Sequence, residues 1–311
     1  FLATLELGAS ARRRIATLLM AFGVLSLFLG LAQIAQGPSS PLRFFTYTSN
    51  DVAVAFFANR NHFASLLYVS TLLAAAWIAS ASSRVVLTAD AEDVNERAKP
   101  YLALLAALLV LVALLVAQIS TSSRAGLILT MVALVGVYLI TLASPGARLV
   151  SRYGRITLAV AGLTAVLVGQ LALWRLLDRF GIDPLADARL AFARQTWKAG
   201  LEHMPFGSGI GSFVPIYALA ERREDLMIDT FANQAHNDVL QLMLEAGLPG
   251  VVLLLAALVW IGVASIRVWR DPRPDLSTFD VALARAAGLA LLLIAAHSIA
   301  DYPLRTGAMA A

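Results

Sequence analysis

Residues 101–143 read YLALLAALLVLVALLVAQI–STSSR–AGLILTMVALVGVYLITLA. Two apolar runs without a single charge flank the polar turn Ser120–Arg124. A helix needs about 20 apolar residues to cross the hydrocarbon core of a bilayer, and each run has that length. Inside lipid the backbone must satisfy its own hydrogen bonds, which a helix does within one segment. Strands of a membrane barrel are shorter and alternate in polarity, and neither run alternates. The stretch therefore predicts a helical hairpin that crosses a membrane twice and turns on one side of it.

The same pattern recurs along the chain. Apolar segments of spanning length lie at about 15–36, 62–82, 101–119, 125–143, 156–174, 248–266 and 281–300. Small residues such as Ala74, Ala75 and Ala76 run through them and let neighbouring helices approach closely. The expected fold class is an all-α integral membrane protein, a bundle of about seven transmembrane helices with a large extracytoplasmic helical loop. Composition agrees. Of 311 residues, 59% are hydrophobic and only 14% charged, against roughly 45–50% and about 25% in soluble proteins. Mean hydropathy is +0.76. A soluble enzyme, a disordered chain and a nucleic-acid-binding module are excluded on this ground. The formal net charge is +4, an excess that speaks of membrane orientation and of no nucleic-acid partner. Cysteine is absent, which removes disulfides, thiol nucleophiles and thiolate metal sites. The chain starts at Phe1 in an apolar context, so residues 1–311 are expected to be a single membrane domain from an N-terminally truncated fragment.

Basic residues in short loops set orientation. Arg12–Arg14, then Arg84, Arg97 and Lys99, then Arg148, Arg152 and Arg155, then Arg267, Arg270 and Arg273 occupy every second loop. Those loops are expected in the cytoplasm. The long polar segment 175–247 then falls outside, with helical periodicity over 190–201 and 239–244. Four polar groups share that outer level: Asn59–His62, Ser120–Arg124, residues 175–247, and His297 with Asp301, Tyr302 and Arg305.

Five elements in that set carry a resemblance. His236-Asn237-Asp238 opens a helical stretch that ends Glu245-Ala-Gly247-Leu-Pro-Gly250 before an apolar span. Asn59-Arg-Asn61-His-Phe63-Ala64, Ser122-Ser-Arg124-Ala-Gly126, Arg194-Gln-Thr-Trp197 with Pro205-Phe-Gly207-Ser-Gly209-Ile-Gly211, and His297-Ser-Ile-Ala-Asp301 complete it. Taken in order over about residues 45–306, they resemble the bacterial O-antigen ligase and O-antigen polymerase family.

That resemblance implies a multi-pass protein of the bacterial inner membrane whose active site faces the periplasm, in the 175–247 loop. It implies transfer of a glycan from an undecaprenyl pyrophosphate carrier to an acceptor hydroxyl, on lipid A-core or on a growing polysaccharide. It further implies that several helices precede this chain. A pyrophosphate leaving group needs positive charge, and guanidinium groups give it two parallel hydrogen bonds. The hydroxyl needs a base, for which neutral imidazole is suited. On this reading His236 is the general base. Arg124 and Arg194 bind pyrophosphate, with Arg189 in place of either. Asp301 orients an Arg or His, and Arg305 is a lesser phosphate candidate. His62, Asn61 and His297 are further possibilities. No metal and no cofactor is required, and direct displacement inverts the anomeric centre.

Other readings stand beside these. His236 could cap the helix that follows it, together with Asn237 or Asp238. Arg124 could anchor in lipid headgroups, and Arg189 and Arg194 could form a solvated helix face. His297 reads as a packed core residue and His203 as structural. Gly207, Gly209 and Gly211 read as a tight turn, with a backbone approach to substrate. Glu245 reads as orienting a helix end. A transporter or flippase for lipid-linked glycans, or a subunit of an export complex, would use the same arginines without chemistry.

Overall fold

The computed structural model of the chain describes residues 7–46, 48–144, 184–221 and 232–305. They form α1 (Ala9–Gln36), α2 (Arg60–Leu87), α3 (Val94–Ser120), α4 (Arg124–Leu142), α5 (Pro184–Glu202), α6 (Phe213–Ala220), α7 (Asp238–Arg270) and α8 (Thr278–His297), then a 3₁₀ turn at Pro303–Arg305. Six of these, α1 to α4, α7 and α8, are long and apolar enough to cross a membrane. The protein is an all-α, multi-pass membrane protein. The span expected over 156–174 lies outside the described residues, as do 175–183 and 222–231 of the long loop.

Capping residues explain where the helices start. Asn59 Oδ1 accepts the N–H of Asn61 at 2.8 Å and opens α2. Asp93 Oδ1 accepts the N–H of Asn95 at 2.8 Å and opens α3. Ser123 Oγ accepts the N–H of Gly126 at 3.0 Å and opens α4. Each satisfies a donor that the first turn leaves without a carbonyl. Gly37 ends α1 at φ +84, with its N–H on the carbonyl of Ile34.

The chain divides into two compact units, one of residues 1–172 and 264–293, the other of 173–263 and 294–311. In the first, α2 packs against α1, α3 and α4, and 89% of its apolar window is buried. Small residues make that packing close. A Cβ on Gly23 would stand 2.9 Å from Leu114, one on Gly30 2.9 Å from Ala53, and one on Gly136 2.8 Å from Leu72. The core joins Leu27, Phe57, Phe63, Leu67 and Leu114. Residues 52–55 are buried backbone without helix. The fully buried Gln33 satisfies them: Nε2 donates to the carbonyls of Leu42 and Ala55, and Oε1 accepts the N–H groups of Val54 and Ala55. Buried backbone outside helices and strands needs such partners.

In the second unit, α5 and α6 pack through Phe192, Phe213 and Tyr217 around Ala199, Ala235 and Leu244. α7 is interrupted at Gly247, where φ is +56 and ψ −148.

Candidate active site

The polar cluster of the second unit is built at the junction that opens α7. Asn237 is the cap, its Oδ1 accepting the N–H of Leu240 at 3.0 Å. Its Nδ2 donates to the carbonyl of Ile299 at 2.8 Å, and the N–H of Asp238 donates to the carbonyl of Ser298 at 2.8 Å. These bonds pin residues 236–238 to the turn that follows α8. That turn starts from His297, whose carbonyl accepts the N–H groups of Ala300 and Asp301, each at 2.9 Å. It carries Asp301 into complete burial.

Because Asn237 does the capping, the ring of His236 is left for another task. His236 lies in the left-handed region at φ +51, which non-glycine residues seldom enter, although histidine tolerates it better than most. Its Nδ1 stands 3.2 Å from Asp301 Oδ1. One ring face stacks on Phe192 of α5, with centroids 5.9 Å apart. Tyr302 meets the ring edge-on at 4.9 Å. The His236 side chain keeps 23% of its exposure while Asp301 has none. An ionised carboxylate can only accept, so opposite one a neutral ring carries its proton on Nδ1 and leaves a lone pair on Nε2. Such a pair can take a proton from a hydroxyl and hold the resulting imidazolium beside a buried anion.

Next to it stands a second charged group. Arg305 donates from Nη1 to Glu245 Oε2 at 2.9 Å, and its Nε lies 3.5 Å from Asp238 Oδ1. Asp238 Oδ2 accepts the N–H of Leu304 at 3.0 Å. Gln241 donates to Glu245 Oε1 at 3.2 Å and accepts the N–H of Ala235 at 3.0 Å. Both carboxylates are nearly closed to solvent, a state that charge tolerates only when paired. The guanidinium thus bridges the start and end of the first segment of α7, and Glu245 orients the end of that segment, as its position in sequence suggests.

The glycine-rich segment serves the same helix. The N–H groups of Ser208 and Gly209 donate to the carbonyls of Leu244 and Glu245, at 2.8 and 2.9 Å, and Leu248 donates to the carbonyl of Pro205 at 2.8 Å. A Cβ on Gly207, itself at φ +80, would stand 2.6 Å from the Glu245 carbonyl. The tight turn is present, and at Gly207 the close backbone approach is made to the interruption in α7, whose carbonyls have lost their helical donors.

On α5, Phe192, Gln195, Thr196 and Ala199 are buried and define one face. Arg189 is half-buried and flanks that face one turn before Phe192. Arg194 is exposed, well round the helix from it. His203 is structural, its Nδ1 lying 2.8 Å from the carbonyl of Ala199. His297 is buried.

The first unit holds the remaining candidates. Asn61 Oδ1 accepts the Ser123 hydroxyl at 2.8 Å, which ties the start of α2 to the cap of α4. His62 is buried. Arg124 is half-buried as the first residue of α4, beside N–H groups that favour an anion. The structure therefore brings Asn61 to the turn bearing Arg124, and His236 to Asp301. Among the described residues no group of three or more His, Asp or Glu side chains is placed to hold a metal ion.

Sequence reasoning missed Phe192 as a wall of the His236 site, although its spacing with Thr196 and Ala199 marks a buried helix face. It also missed that Asp238 and Glu245 share Arg305, a pairing across some 60 residues with no local signal. No curated protein matches the chain. Residues 100–255, half of its length, match a protein family described as O-antigen ligase.

Proposed function

The chain belongs to the O-antigen ligase family, and from that premise we propose that it moves a glycan from an undecaprenyl pyrophosphate carrier to an acceptor hydroxyl on the periplasmic face of the bacterial inner membrane. The family makes it a glycan-transferring membrane enzyme; carrier, side and mechanism are our reading. The acceptor is lipid A-core or a growing polysaccharide.

His236 is the general base. Its Nε2 takes the proton of the acceptor hydroxyl while that oxygen attacks the anomeric carbon. The bond from that carbon to the pyrophosphate oxygen breaks, and its electron pair leaves with the phosphate. Attack opposite the leaving group inverts the centre. Asp301 fixes the proton on Nδ1 and steadies the imidazolium that forms. Arg189 neutralises the departing pyrophosphate without a metal ion. Arg189 is preferred to Arg194 because it flanks the α5 face whose Phe192 stacks on His236. Arg305 positions α7. The observation that carries the reading is the His236–Asp301 pair, held by a strained backbone and walled by two aromatic rings.

The test uses the full-length protein in lipid with an undecaprenyl pyrophosphate-linked glycan and a candidate acceptor, and follows release of undecaprenyl pyrophosphate. His236→Ala is expected to lower release about 10²–10⁴-fold, the usual contribution of a positioned base. Arg189→Ala should weaken release far more than Arg194→Ala. Unchanged release from folded His236→Ala would remove that residue as the base. Donor binding without release, for every acceptor tried, would favour a transporter.

A further inference from the structure

A cavity of about 750 Å³ opens in the first unit, at the end of the helices where arginines gather. Its walls are apolar: Ile15 and Leu19 of α1, Leu73 of α2, Val281 and Ala284 of α8. Its mouth is not. Arg12, Arg267 and Arg273 border it, with Asp271 and Asp280. The Asp280 carboxylate is already engaged. Arg13 reaches it from Nε at 2.8 Å and from Nη2 at 2.5 Å, and the Ser277 hydroxyl donates to it at 2.7 Å. That leaves three arginines at the mouth against the single carboxylate of Asp271.

The walls run inward from Arg12 to Leu19, about two helical turns or roughly 10 Å of depth. That is the depth of the upper part of an acyl chain whose headgroup sits at the interface. Such a space excludes a free sugar or nucleotide, which would leave its hydroxyls without partners in an apolar wall. It also excludes a neutral hydrocarbon as the best fit, because the mouth would then keep its positive charge uncompensated. An amphiphile with an anionic phosphodiester head and hydrocarbon tails meets both demands. Guanidinium groups give phosphodiester oxygens two parallel hydrogen bonds. Basic pockets between spanning helices at the membrane surface are suited to such heads.

We propose that this cavity is a binding site for one anionic diacyl phospholipid of the surrounding membrane, its phosphodiester held by Arg12, Arg267 and Arg273 and one acyl chain lying between α1 and α8. None of these residues takes part in the glycan transfer proposed above, and the site stands whether or not that reading holds.

Native mass spectrometry of the full-length protein, purified in detergent, tests it. The probes are dioleoyl phosphatidylglycerol, dioleoyl phosphatidylcholine, inorganic phosphate and undecaprenyl phosphate. One phosphatidylglycerol is expected to remain bound, with at least about tenfold preference over phosphatidylcholine, and inorganic phosphate should not displace it. Arg267→Gln with Arg273→Gln should reduce that preference at least fivefold. Ala284→Trp, which fills the cavity, should abolish retention of either lipid. Equal retention of the two lipids, full retention in the Ala284→Trp protein, displacement by an equal amount of undecaprenyl phosphate, or no lipid retained at all would each overturn the proposal. The arginine variants alter only the exposed mouth and keep the test decisive if the tryptophan variant does not fold.

Discussion

At His236 three local choices converge on one ring. The backbone takes φ +51, Asn237 relieves the histidine of capping, and Asp301 holds Nδ1. Asp301→Asn keeps the shape of the acceptor but loses the charge, and the amide can offer its NH₂ to Nδ1 and favour the wrong tautomer. Turnover of that variant is expected to fall about 10²-fold or more, with donor affinity and melting temperature near those of the parent; steady-state kinetics with a thermal melt check this. His236 and Asp301 were legible as candidates, because the alternation of basic loops put both on the side expected to be outer. Their contact was not, since Asp301 was as apt to orient an arginine. What decided it was the tight turn after α8, built from backbone bonds to the His297 carbonyl that no side-chain pattern announces. Phe192 was hidden for a related reason: its role depends on how close α5 comes to residue 236, a distance that periodicity does not contain.

Among the elements, α7 shows how one backbone position shapes a site. Gly247 sits at φ +56, ψ −148, a region nearly confined to glycine, and a Cβ there would meet the Pro205 carbonyl. Gly247→Ala is expected to cost about 1–3 kcal/mol from backbone strain alone, with more from the contact. Gly262→Ala, in the same helix with nothing within 4 Å of the added carbon, should cost nothing. Thermal melting of the two proteins in one detergent compares them directly. The six described spans were readable to within about two turns, because lipid imposes a length and a polarity that composition reveals at once. The division of α7 was readable as well, since the helical stretch over 239–244 ends at Glu245–Gly250 before the span at 248–266. What holds the break was not: the bonds from Ser208, Gly209 and Leu248 join segments about 40 residues apart.

For the whole molecule, orientation is the property on which the rest of the chemistry depends. The absence of cysteine provides its test. A single cysteine at Ala89, in the loop after α2, is expected to react with a membrane-impermeant maleimide only once the cytoplasmic side is opened. A cysteine at Ser39, after α1, should react in intact spheroplasts. The opposite pattern would put the His236 region in the cytoplasm. One feature of the bundle bears on how such proteins are catalogued across genomes. α2 is the most enclosed span, 89% buried, and has the lowest hydropathy of the six, 1.7. The two facts share a cause: a helix that faces other helices instead of lipid is free to carry serine, asparagine and alanine. Among diverged homologues, this helix will therefore be the first to sink below any hydropathy threshold. A survey that loses it counts one crossing too few, and every loop downstream, the one bearing His236 included, is then assigned to the wrong compartment.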